Sequence, residues 1–179
     1  MAEKLSENFT LEEFTYSETA IAKKISNKPS SFHKKILKHT CQYLLEPLRK
    51  LLNEKYKEYK KKKVKEVGIK ITSGYRSPML NAAVGGATTS QHVQGCAADI
   101  EAVLVFTDGK KVVLPFNELY EDIKAWVKNK DLNVDQCIQE QNSAGAKWCH
   151  VSLPQQIRDC RKQFLKYNKG MYSMDCILK

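Results

Sequence analysis

The sequence predicts an α+β fold, with N-terminal helices packed on a small, mostly antiparallel sheet. Three observations carry this. Apolar residues recur at helical spacing through the first third of the chain, the period switches to two after Gly68, and the later strand-like runs are joined by short turns that suit antiparallel neighbours. At 179 residues and 42% hydrophobic, the chain is long enough to bury a core and too apolar to be disordered. It reads as one domain over 1–179: a helical part (1–66), a central part holding the candidate site (67–154), and a C-terminal helix and tail (155–179).

The elements follow in order. In "FTLEEF", Thr10 and Glu13 form a capping box that opens a first helix. A second start lies at Ser30 or Ser31. From there Ile36, Leu37, Cys41, Leu44, Leu45, Leu48, Leu51 and Leu52 keep one apolar face, with Pro47 bending or breaking the helix. "IKITSGYRS" alternates like a strand and turns at Ser73-Gly74. "SPMLNAAVGG" is a short helix with Pro78 at its first position and Gly85-Gly86 at its end. "AADIEAVLVF" and "KVVLP" flank the turn "TDGK" as a hairpin. "NELYEDIKAWVKNK" is an amphipathic helix capped near Asn117, and "NVDQCIQEQ" and "AKWCHVSL" pair across "NSAG". The stretch from Gln155 to about Leu165 reads as a basic helix.

The net charge of +10 implies an anionic partner such as nucleic acid, a membrane surface or a bacterial wall, although the run Lys57 to Lys65 also reads as a solvated helix end. No nucleic-acid motif or aromatic-basic platform accompanies that run, so a nucleic-acid partner is not expected. None of the six cysteines forms a C-x-x-C pair, which argues against a zinc finger and for mostly free, buried thiols of a reducing compartment. The polar start "MAEKLSENFT" lacks an apolar segment of secretory type, and no apolar run approaches 18 residues. The expectation is a protein made in the cytoplasm, without membrane insertion.

Three clusters can do chemistry. In "SQHVQGCAAD", His92 and Asp99 are separated by small residues that let both side chains reach one point, a donor pair suited to zinc; alone, the pair also reads as two satisfied polar groups. In "KWCHVS", Trp148, His150 and Ser152 share one face of a strand, and the preceding strand puts Gln136, Ile138 and Glu140 on one face. If the two strands pair, His150 supplies a third ligand. Glu140 then stands where a carboxylate can move a proton between water and a leaving amine; it also reads as a solvated hairpin residue. In "SGYRSP", Arg76 follows a strand and precedes a helix, where it can clamp a carboxylate or form a surface ion pair. His33 and His39 read as helix-packing or surface residues. Cys96, an odd number of residues from Asp99, points away from it and is not expected to be a ligand.

These segments together resemble the zinc D-alanyl-D-alanine metallopeptidases, and more narrowly their small phage and bacterial branch that acts on peptidoglycan. The pattern S-G-Y-R-S-P, L-N, V-G-G, S-x-H-x-x-G-x-A-x-D, D-Q-x-I-x-E and W-x-H-x-S is present as Ser73 to Pro78, Leu80-Asn81, Val84 to Gly86, Ser90 to Asp99, Asp135 to Glu140 and Trp148 to Ser152. "ENFTLEEFTYSETA" and "LLEPLRKLL" fit the same branch, so the resemblance covers nearly the whole chain.

The resemblance implies the fold shared with lysostaphin-type peptidases and the hedgehog signalling domain. It implies one catalytic Zn2+ held by His92, Asp99 and His150, with Arg76 and Ser90 contacting substrate. It also implies carboxypeptidase or endopeptidase activity on cell-wall peptides by a monomeric endolysin that reaches the wall through another factor. Many relatives carry a histidine two residues before the last ligand, where this chain has Trp148. Others carry a glutamate three before it, where this chain has Lys147. Glu140 is the substitute base, Trp148 a pocket wall, and Gln136 a further substrate contact. A zinc-retaining, inactive wall-binding or virion-associated module is the alternative.

Overall fold

The computed structural model describes residues 2–168 and 170–178, the side chain of Asn168 excepted. Helices α1 (Leu11–Thr15), α2 (Glu18–Ala22), α3 (Ser31–Thr40) and α4 (Glu46–Tyr56) come first, then strand β1 (Val64–Ser73). The Glu13 carboxylate accepts from both the backbone N–H and the hydroxyl of Thr10, closing the capping box of α1. Ser30, rather than Ser31, caps α3 by accepting from His33 N–H. Pro47 breaks nothing abruptly. A π turn over Cys41–Leu45 joins α3 to α4 in continuous helical backbone, and this local widening, just before Pro47, is where the helix absorbs the missing N–H.

Two short helices, α5 (Pro78–Ala83) and α6 (Gln91–Gln94), lead into β2 (Ala97–Phe106), β3 (Lys111–Val113), α7 (Phe116–Lys128), β4 (Gln136–Gln141) and β5 (Lys147–Ser152). β1 starts at Val64, earlier than the period change at Gly68 suggests, so the end of the lysine run enters the sheet. α7 begins at Phe116 with Pro115 as its cap, so Asn117 lies inside the first turn and caps nothing.

The C-terminal helix expected over Gln155–Leu165 is replaced by a 3-10 turn (Ile157–Asp159) and a hairpin, β6 (Gln163–Asn168) and β7 (Met171–Ile177). The reason is tertiary. The buried Asp135 carboxylate takes both the backbone N–H and the guanidinium of Arg161, and the Asp135 carbonyl accepts from Gln163 N–H. These bonds hold the chain extended beside β4, and local helix propensity yields to them.

The strands run β1-β2-β5-β4-β6-β7, with β3 also on β2. Every pairing is antiparallel except β4 with β6. The pleat sorts the side chains. Ala98, Ile100, Ala102 and Leu104 of β2, with Cys149 and Val151 of β5, join one apolar cluster with Leu44, Leu48 and Leu52 of the helical layer and Ile123 and Val127 of α7. The alternate residues of the same strands, Asp99 and His150 among them, face the other way. Tyr56, Asp122 and Lys55 tie α4 to α7 by polar contacts at the edge of this core.

Gly74, just after β1, lies against α1. A Cβ there would stand 2.6 Å from the backbone Cα and O of Phe14. Gly74→Ala is therefore expected to lower stability by about 2 kcal/mol, since backbone cannot move aside as a side chain can. Gly68→Ala, whose Cβ would meet nothing within 4 Å, should stay within about 0.5 kcal/mol of the parent. Denaturant melts of the two variants check the contrast.

Candidate metal centre

Three side chains converge at the end of β2 where the strand begins. Asp99 of β2 and His150 of β5 are paired across the strands, so the pleat aims both at one face. His92 comes from α6, a single helical turn where a loop was expected. Gly95, at φ +76°, ends that turn in a left-handed conformation and feeds the chain into β2. Ala97 and Ala98 are fully buried there, and nothing bulky separates the two ligand-type side chains. Asp99 Oδ1 lies 3.2 Å from His92 Nε2 and 3.0 Å from His150 Nδ1, and the two ring nitrogens are 3.1 Å apart.

The donor set fits a zinc ion. His92 Nδ1 is 2.7 Å from the carbonyl oxygen of Gly74. A carbonyl only accepts, so the proton of the neutral ring sits on Nδ1 and Nε2 turns a lone pair inward. That lone pair faces a carboxylate oxygen and a second imidazole nitrogen, with all three residues buried. Acceptors gathered this closely in a buried place call for a cation. Two imidazoles and one carboxylate form a three-ligand set of the kind that leaves a position open for water. Burial alone would raise the Asp99 pKa; positive charge beside it, on a held cation or on the two rings when protonated, outweighs burial and holds the carboxyl well below its usual range.

The remaining predicted residues sort themselves by contact. Arg76 donates from Nη2 to Asp99 Oδ2 at 2.9 Å and from Nε to Ser73 Oγ at 3.0 Å, so it braces the ligand carboxylate from behind. Ser90 stands at the cap position of α6, makes no capping bond with its hydroxyl and lines the cleft. Glu140 pairs with Trp148, and Ile138 with His150, which puts all four on one face with the triad. Burial and the Asp99 charge push the Glu140 carboxyl upward. The indole N–H of Trp148, its neighbour across the strand pair, works against that rise. Gln136 lines the cleft and donates to Gln163 Oε1. His33 and His39 pack on Tyr75 and Tyr43, away from the triad.

Asp135 is not part of the cleft wall. It receives Arg161 on one side and Gln91 Nε2, at 2.8 Å, on the other, and so fastens the C-terminal segment to the turn that carries His92. All six cysteines are free: Cys41, Cys96, Cys137 and Cys149 are buried, Cys160 and Cys176 half-buried. Burial pushes the Cys96 thiol up to about 11, and the metal-type cluster does not include it.

The triad opens into a cleft of about 990 Å³. One wall is the loop from Val84 to Ser90. The opposite wall is one that sequence reasoning missed: Leu165, Tyr167, Gly170 and Tyr172 of the β6–β7 hairpin. The available signal was the turn-type "NKG" between "QFLKY" and "MYSM", which is how a hairpin reads.

A family model described as Peptidase M15 matches residues 7–111, more than half the chain. The chain belongs to the Peptidase M15 family. M15 peptidases are zinc-dependent metallopeptidases acting on peptides, and this one brings a His-Asp-His group together at its cleft. No curated protein matches the chain. The matched span of this M15 peptidase includes Arg76, Ser90, His92 and Asp99; Glu140, Trp148, His150 and the hairpin lie beyond it.

The Asp135 clamp makes a prediction in two parts. Its carboxyl is nearly inaccessible, and burial, which would raise its pKa, is outweighed by Arg161 and Gln91, so the folded pKa lies below 3.8. A depressed carboxyl contributes stability that is complete above its unfolded pKa and is lost as pH falls through the folded value. Asp135→Asn should cost about 2 kcal/mol at neutral pH. The variant should also lose less further stability than the parent when the pH is lowered from about 5 to about 3. Thermal melts at the two pH values measure both.

Proposed function

We propose that residues 1–179 act as one zinc peptidase domain that hydrolyses stem or cross-link peptides of peptidoglycan, as a monomeric endolysin of phage or prophage type. The observation that carries this is the buried His92–Asp99–His150 group at the floor of an open cleft with a carboxylate, Glu140, on the same face. His92, Asp99 and His150 would hold the ion. When bound, it supplies Lewis acidity, polarising a scissile carbonyl and making water more acidic.

The chain's own residues do the rest. Glu140 accepts the proton of the attacking water and returns it to the leaving amine; a raised pKa suits both halves of that task. Arg76 holds Asp99 in its ligand rotamer, and its remaining N–H groups reach a substrate carboxylate or carbonyl. Ser90 and Gln136 offer further hydrogen bonds, and Trp148 walls the cleft.

The net charge of +10 favours approach to an anionic wall. Among the described residues no helix is long and apolar enough to cross a membrane. Synthesis in the bacterial cytoplasm, with delivery to the wall by a separate factor, completes the proposal. The absence of a base at both Lys147 and Trp148 favours one rival, a zinc-retaining wall-binding module without turnover.

Digestion of purified peptidoglycan by the zinc-loaded protein, read by mass spectrometry, separates the two. New stem-peptide fragments are expected, abolished by chelation and by His92→Ala, which should also lose the bound metal. Glu140→Gln should keep one metal per chain and lose at least about 100-fold in rate. Fragments that persist in Glu140→Gln would remove Glu140 from the mechanism. A protein that holds zinc yet releases nothing from several wall types would be the binding module.

A further inference from the structure

The cleft has two unlike sides. Towards α6 it is polar and loop-built. Away from it the sheet face continues past Ile138 onto the C-terminal hairpin. Ile138 pairs with Leu165, and Tyr167 with Tyr172, so the pleat sets these residues on the same face as His150. The two tyrosine rings lie 4.7 Å apart between centroids and are inclined at 45°, forming an open corner. Tyr172 is 60% exposed although it lines the cleft.

This aromatic corner is held firmly. Asp175 of β7 accepts from Tyr120 Oη and Lys124 Nζ of α7, at 3.1 and 2.6 Å. Phe164 of β6 is fully buried and packs edge-to-face on Tyr120. With Arg161 fixed on Asp135, the hairpin is part of the sheet and not a loose tail. Rings presented to solvent on a braced support, beside a reaction centre, are placed for a ligand.

We infer that the Tyr167–Tyr172 corner is a subsite for the sugar that bears the stem peptide. This rests on the peptidoglycan reading above and extends it from the peptide to the glycan. The chemistry of the polymer selects the ligand. Stem peptides are built from alanine, glutamate and a diamino acid, which are small or charged and offer an aromatic corner little to cover. The pyranose ring is the part of the polymer with a broad C–H face, and it carries hydroxyls that suit phenolic neighbours. The cleft is large enough to hold more than the residues flanking one bond. The enzyme thereby measures the distance from sugar to scissile bond, which selects bonds near the glycan.

Two substrates test it: a disaccharide-linked stem peptide and the same peptide with the sugars removed. The unaltered protein should prefer the first. In Tyr172→Ala that preference, the ratio of the two kcat/KM values, should fall about tenfold through KM. Tyr172→Phe should keep most of it, because a stacking face survives loss of the hydroxyl. Equal losses on both substrates, or a Phe variant as impaired as the Ala variant, would overturn the subsite.

If neither substrate is cut by the unaltered protein, the peptidase reading has failed, and a binding measurement still decides the subsite. Titration of the glycan disaccharide, followed by NMR, should shift resonances of Tyr167 and Tyr172 in the parent and leave those of Tyr167 unshifted in Tyr172→Ala. Absence of any shift at millimolar disaccharide would overturn the inference.

Discussion

A buried carboxylate organises this molecule. Asp99 is 4% exposed and ionised, an expensive state unless both oxygens are met by positive charge or donors. Oδ2 is met by Arg76, and Oδ1 faces the ring nitrogens of His92 and His150 at the point where a cation would answer all three. Each partner arrives from a different part of the chain: the loop after β1, the turn α6, and β5. The strand order places β2 between β1 and β5, so the acid is the hub and its neighbours on both sides supply the response. The Gly74 carbonyl then sets the ring orientation of His92, which makes the packing of α1 against Gly74 part of the geometry of the centre.

A second carboxylate, Asp135, does for the periphery what Asp99 does for the centre. It binds the turn that carries His92 through Gln91 and the last segment through Arg161. That double attachment explains the parallel β4–β6 pairing, unusual in a sheet otherwise antiparallel, because Arg161 and Gln163 are drawn in next to β4. It also couples the metal-type site to the hairpin wall. The triad gathers on one buried anion and the hairpin is tied to β4 by another, and the two anions are joined through the neighbouring residues Gln91 and His92.

Much of this was legible in the sequence, and the reasons differ by element. The capping box at Thr10 and Glu13, the Ser77–Pro78 helix start and the β2–β3 hairpin are written in local chemistry, and each forms where its residues say. That Glu140 and His150 share a face was legible from period-two alternation once the strands pair, whereas the grouping of His92 and Asp99 with His150 came from the resemblance. The C-terminal hairpin was not. Gln155–Leu165 contains good helix formers, and what overrides them is Asp135, some twenty to thirty residues earlier. That contact leaves no trace in the segment it overrides, and the local sign of the hairpin lies further on, in the turn-type "NKG". The same limit hid the role of Asp135 in "DQCIQE", because its partners Gln91 and Arg161 lie far from it in sequence.

The register of β4 on β5 bears on the missing base. In related peptidases a histidine often stands two residues before the last ligand, and here that residue is Trp148. Glu140 is the cross-strand partner of Trp148. Directly opposed residues on one face of an antiparallel pair are neighbours, so a functional group at 140 serves nearly the same space as one at 148. A carboxylate on β4 in place of a side chain on β5 stays beside the centre and leaves position 148 to an aromatic residue. It also changes the chemistry. A carboxylate beside Asp99 is pushed upward by burial and by like charge, which keeps a proton acceptor responsive nearer neutrality than an exposed glutamate would be. Lys147, at the other place where relatives carry an acid, is exposed and directs its ammonium over the Phe116 ring, away from that task. The two positions that look like losses when β5 is read alone thus have a carboxylate across the strand pair, at Glu140, which is why the proposed mechanism gives that residue the proton.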